Sequence, residues 1–96
     1  MARIYKMKFR VDSEEVQGPG SWVEFQRPTW GISDHVSTGR ELLELCIVGW
    51  NWTDDNGDPL PLPAEHPGIV SEIPYQEANW LMTNSGINQR EEAKKN

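Results

Sequence analysis

Hydrophobic and polar residues change their spacing several times along this chain, and each change marks an element. Residues 4–11 alternate, with Ile4, Lys6, Lys8 and Arg10 on one parity and Tyr5, Met7, Phe9 and Val11 on the other. A period of two is the mark of a strand with one buried face. Residues 12–20 then bring acids followed by Gly18, Pro19 and Gly20, which is loop and turn chemistry. A second extended run, SWVEFQRPTW at 21–30, puts Val23 and Phe25 on one face and Trp22, Glu24 and Gln26 on the other. Pro28 limits its continuation as a central strand. The two runs predict a β-hairpin with a long connection.

From Ser33 the spacing turns helical. Val36, Leu43, Cys46, Ile47 and Trp50 recur on one stripe, Ser33 or Asp34 can cap the start, and Arg40, Glu41 and Glu44 supply the exposed side. Leu42, Leu45 and Val48 widen the stripe, so the pattern predicts an apolar helix reaching Trp50 and covered on more than one side. Gly39 inside it costs about 1 kcal/mol against alanine, which moves the expected start toward Thr38. Residues 53–72 show no sustained period and contain prolines at 59, 61, 63 and 67. Asp55, Asn56 and Gly57 make a turn, and the following PLPLP run is extended. A loop this long inside a small domain needs anchoring, which Leu60 and Leu62 lying on the core near Trp50 and Trp52 would provide. A second helix starts at Pro74, buries Ala78, Leu81 and Met82, is flanked by Tyr75 and Trp80, and ends at 84–86. The expected architecture is a single α+β domain over residues 1–88, an N-terminal β-hairpin packed with two α-helices joined by a long Pro-rich loop. Residues 89–96 form a charged tail without apolar anchors, expected to be disordered.

Composition narrows the function classes. At 96 residues the chain has room for one domain with a modest core. No apolar run approaches the roughly 18 residues of a membrane span, and the start alternates charge with bulk where a signal peptide would be unbroken. The chain therefore reads as soluble and unprocessed, with no membrane partner. Net charge is −6, unevenly distributed: residues 1–10 carry four basic and no acidic side chains, whereas the other 86 carry five basic and fifteen acidic ones. Backbone phosphates would be repelled by most of such a surface, which argues against nucleic acid as a partner. An acidic protein occupying a basic partner's surface stays open.

The search for chemistry finds no site. Asp54, Asp55 and Asp58 beside Asn56 and Gly57 suggest a calcium loop, but with Gly57 at its sixth position Trp52 falls at the first and Pro63 at the twelfth, where acids are required. The acids read as a turn. His35 and His66 stand 31 positions apart in no metal-ligand spacing. The single cysteine, Cys46, lies among apolar neighbours and reads as a core residue, and its solitude excludes an intramolecular disulfide. GPG at 18–20 lacks the spacing and lysine of a phosphate loop. No cofactor, metal or enzymatic activity is expected. The five tryptophans, at 22, 30, 50, 52 and 80, point to packing and interfaces instead. Trp50 and Trp80 suit the core; Trp22, Trp30 and whichever of Trp50 and Trp52 faces outward suit a partner.

Three phrases carry a resemblance: WVEFQRPTWG at 22–31, VGWNWTDDNGDPLPLP at 48–63 and IPYQEANWLM at 73–82. With them the chain resembles the small tail assembly chaperones of phages and prophages. That resemblance implies a non-enzymatic assembly factor of the bacterial host cytoplasm that binds the tape-measure protein, keeps its long apolar helix soluble, and yields to tail tube subunits. The groove residues it would use are Trp30, Leu42, Leu45, Trp50, Trp52 and Leu62, with homo-oligomer formation drawing on the same kinds of surface. Two other classes compete. One is an acidic inhibitory or host-takeover protein that mimics nucleic acid; the other is a structural component of the virion tail or neck.

Overall fold

A computed structural model of the chain describes residues 4–87. The expected tail at 89–96 and the ends of the expected 1–88 domain lie outside the described residues. Strand β1 (Lys8–Asp12) pairs antiparallel with β2 (Trp22–Gln26), with Phe9 opposite Phe25 and Val11 opposite Val23. Alternation does here what it should: Val23 and Phe25 are fully buried, Phe9 and Val11 pack against the same core, and Lys8, Arg10 and Asp12 face solvent. On the outer face the Arg10 guanidinium lies 4.0 Å from the centre of the Trp22 ring.

The connection between the strands is more ordered than its composition suggests. A single turn of helix, α1 (Glu14–Gln17), follows Asp12, whose Oδ1 accepts the Glu14 N–H at 2.8 Å. The expected helix over 33–50 is instead three elements. Helix α2 (Trp30–His35) is capped by Thr29 rather than by Ser33 or Asp34, and the chain goes extended at Val36. Helix α3 (Gly39–Cys46) is capped by Thr38, whose hydroxyl accepts the Glu41 N–H at 3.1 Å. Residues Ile47–Trp50 then leave the helix and form β3, the third strand of an antiparallel sheet ordered β1-β2-β3.

That correction has a clear physical cause. Ile47 and Val48 are β-branched and favour the pleated surface. Gly49 sits opposite Glu24, and a methyl group on it would meet the Trp22 ring at 3.4 Å, so the small residue lets the indole lie across the strand. A short apolar run has no period of its own to separate a strand from a helix. The surplus apolarity of LLELCIVGW is thus divided between one helix and one buried strand, both covered by the same core.

Helix α4 (Tyr75–Asn84) begins after Pro74, as expected, and buries Trp80 and Leu81, with Ala78 and Met82 packed beside them. Between β3 and α4 the Pro-rich segment is held at several points. Thr53 bridges Pro59, Leu60 donates its N–H to the Trp52 carbonyl at 2.9 Å, and Ile69–Ser71 form a turn of 3-10 helix. The fold is α+β: a three-stranded antiparallel sheet with helices packed on one face and an open face on the other. No helix among the described residues is long and apolar enough to cross a membrane.

Candidate functional site

The tryptophans sort themselves by their ring nitrogens. Trp50 and Trp52 stack with ring centres 5.1 Å apart and planes 3° from parallel, and Trp80 meets Trp52 at 6.0 Å. Each indole N–H is satisfied: Trp50 donates to the Leu60 carbonyl at 3.2 Å, Trp52 to Ser13 Oγ at 2.9 Å, and Trp80 to Glu15. Ser13 passes the chain on to Ser21 Oγ at 2.7 Å, which donates to the Gly18 carbonyl at 2.8 Å. Ser13, at 0% exposure, is one of the few buried polar residues, and this relay keeps it from costing stability. Trp52 is 1% exposed, Trp50 and Leu42 are also buried, and none of the three reaches a partner. Their proposed place in a binding surface is corrected: they are core, because an aromatic ring with a satisfied N–H fills a small interior well. Cys46 is buried in the same core.

Trp30, Leu45 and Leu62 have different surroundings. Leu45 is 55% exposed on the outer side of α3, and Leu62 lies partly buried across from it on the Pro-rich segment. Between them runs an open groove of about 530 Å³, walled by α3 (Glu41, Glu44, Leu45), β3 (Ile47, Val48) and the segment Leu62, Pro63, Ala64 and Pro67, with Val36 at one end. Apolar atoms make up most of its surface. Trp30 stands apart from it, at the start of α2, and Val36 just past the end of that helix joins the groove wall.

One side chain fixes the distance between the groove's walls. Glu44 projects from α3 and accepts the Gly68 N–H at 3.0 Å and the Val70 N–H at 3.2 Å, so its carboxylate caps the first turn of the 3-10 helix. Gly68 reaches that position with φ +94°, a conformation open to glycine. Arg40 adds a longer contact to Glu44 at 3.4 Å. Sequence reading had placed Glu44 on a solvated helix face; its partners come from 24 and 26 residues downstream, beyond what helical spacing can signal.

A second cleft, about 560 Å³, lies on another side between the acidic turn and α4, lined by Asp54, Asp55, Glu72 and Glu77 with Leu60, Ile73 and Pro74. Asp54 organises the turn: its Oδ1 accepts the N–H groups of Asn56 and Asp58. Gln17 closes the inner end, exchanging hydrogen bonds with the Thr53 backbone and donating to Glu77 Oε2 at 3.0 Å. Burial raises the Glu77 carboxyl above its ordinary value, the Gln17 hydrogen bond opposes this, and the nearby Asp55 charge raises it further. Among the described residues no three His, Cys, Asp or Glu side chains converge to hold a metal ion. The chain matches no protein-family model, and neither a curated protein nor a solved structure matches it.

Proposed function

We propose that this chain is a non-enzymatic tail assembly chaperone, working in the cytoplasm of a phage-infected or lysogenic bacterium, that holds the tape-measure protein in soluble form until tail tube subunits replace it. The observation that carries this reading is the open apolar groove between Leu45 and Leu62. An amphipathic helix lays its apolar face into such a groove and is read through anchors at helical spacing. The groove's walls are braced by Glu44 and the Trp50–Leu60 hydrogen bond, which favours a preformed surface and lowers the ordering cost of binding. Glu41 lines the groove beside the apolar residues and suits a client helix with a basic residue at that edge. The three phrases shared with tail chaperones agree with this role, although two of their tryptophans serve the core.

Co-expression with the tape-measure protein of the same genome tests the reading. The client becomes soluble and co-purifies with the wild-type chain, and Leu45→Glu loses both effects while remaining folded. A client that stays insoluble with the wild-type chain overturns the proposal. The acidic cleft favours one other role, inhibition of a basic host protein through Asp54, Asp55, Glu72 and Glu77. Binding to host nucleic-acid-processing proteins that is lost in Asp54→Asn/Asp55→Asn and unaffected by Leu45→Glu would select it.

A further inference from the structure

Two unpartnered apolar features lie at the two ends of α2. At its start the Trp30 indole is 75% exposed, on a helix end held by the Thr29 cap at 3.2 Å and anchored by Ile32 against the core. Just past its end, Val36 forms part of the wall of the groove described above. The helix has six residues, so knob and hole are separated by roughly 9 Å at 1.5 Å of rise per residue. We propose that two copies of this chain associate across a two-fold axis, each inserting its Trp30 indole into the other's groove between Leu45 and Leu62.

Symmetry favours two copies over an open chain. When a knob and its complementary hole are neighbours on one face, a two-fold rotation makes both contacts at once and closes the assembly, whereas a knob and hole on opposite faces would propagate. The groove's volume of about 530 Å³ and its apolar walls suit a large flat ring. The area sets the strength. An aromatic side chain buries roughly 150–250 Å², so two exchanged indoles and the surrounding Leu45 contacts fall below the about 1,200 Å² at which stable interfaces begin. The dimer is therefore weak and reversible, in the micromolar to millimolar range. Each copy carries a net charge of −6, so repulsion opposes association and salt relieves it. An electrostatic pairing of the basic N-terminal residues with the acidic cleft would weaken with salt instead. This inference is independent of the client's identity, although an indole in the groove and a client helix exclude one another.

Sedimentation velocity on the full chain, from micromolar to millimolar concentration and at low and high salt, tests it with Trp30→Ala and Leu45→Glu. The wild-type chain forms a dimer whose fraction rises with concentration and with salt. Each variant weakens the dimer at least tenfold with unchanged thermal unfolding, since both side chains are exposed. An equimolar mixture of the two variants associates more tightly than either alone, because the intact indole of one meets the intact groove of the other. A wild-type chain that stays monomeric throughout overturns the proposal, as do variants that dimerise normally, a mixture no tighter than its components, or a dimer that dissociates with salt. A monomer that still solubilises the tape-measure protein leaves the chaperone reading standing and removes only this one.

Discussion

The Pro-rich segment has two sides, and they are built from the same residue types to opposite ends. Its inner side meets Trp50, Trp52 and Leu60, where rings are stacked and ring nitrogens have acceptors. Its outer side carries Leu62, Pro63, Ala64 and Pro67, which face Leu45 across an open groove. Apolar content does not separate the two. What separates them is whether the polar atoms around the apolar ones are committed: inside, indole N–H groups and hydroxyls form a closed relay, while outside only the Glu44 brace is polar and the rest is bare surface.

The largest effect should come from the inner side. Trp52→Ala removes a buried ring and its bond to Ser13, and should cost about 3–5 kcal/mol in chemical denaturation. Trp30→Ala, on an exposed ring, should stay within about 0.5 kcal/mol. Similar losses in the two would erase the distinction between core and surface tryptophans. Next comes the brace. Glu44→Ala leaves the Gly68 and Val70 N–H groups without their acceptor, for an expected loss of about 1–3 kcal/mol, and amide exchange at those two positions should rise more than elsewhere. Protection unchanged at Gly68 and Val70 would mean that the groove wall stands without Glu44. Leu45→Glu should then change stability by no more than about 0.5 kcal/mol and yet abolish client binding, which separates groove function from folding.

The smallest effect concerns Glu77. Its carboxyl titrates above its ordinary value in the folded chain, so ionising it opposes folding: the stabilisation is full below the ordinary carboxylate value and is lost as pH rises through the raised one. Glu77→Gln keeps an acceptor for Gln17 and removes the charge. Its melting temperature should match or slightly exceed that of the wild type at neutral pH, with the wild type gaining on it as pH falls toward 4. A variant that is less stable at neutral pH would show that the ionised carboxylate is worth more to the Gln17 clasp than its burial costs.

Legibility in the sequence followed the range of the interactions. The hairpin could be read because alternation at residues 8–11 and 22–26 is local, and α4 because Pro74 punctuates its start. The break at Ile47 could not, since no glycine or proline separates Cys46 from a strand that exists only by pairing with β2. Of the six residues expected to meet a partner, Trp30, Leu45 and Leu62 lie at or near the surface, whereas Leu42, Trp50 and Trp52 are interior. Trp52 could not be placed without Ser13, 39 positions earlier, which gives its ring nitrogen an acceptor inside the protein.

That same span bears on how the molecule assembles. Bonds joining Trp52 to Ser13 and Trp80 to Glu15 close loops of 39 and 65 residues, each at an entropic cost that rises with length. The hairpin and α4 can form from near neighbours, but the ring stack cannot be sealed until remote segments meet. Folding is accordingly governed by a late, non-local step, and stopped-flow tryptophan fluorescence should follow it as a single slow phase, delayed behind the backbone signal.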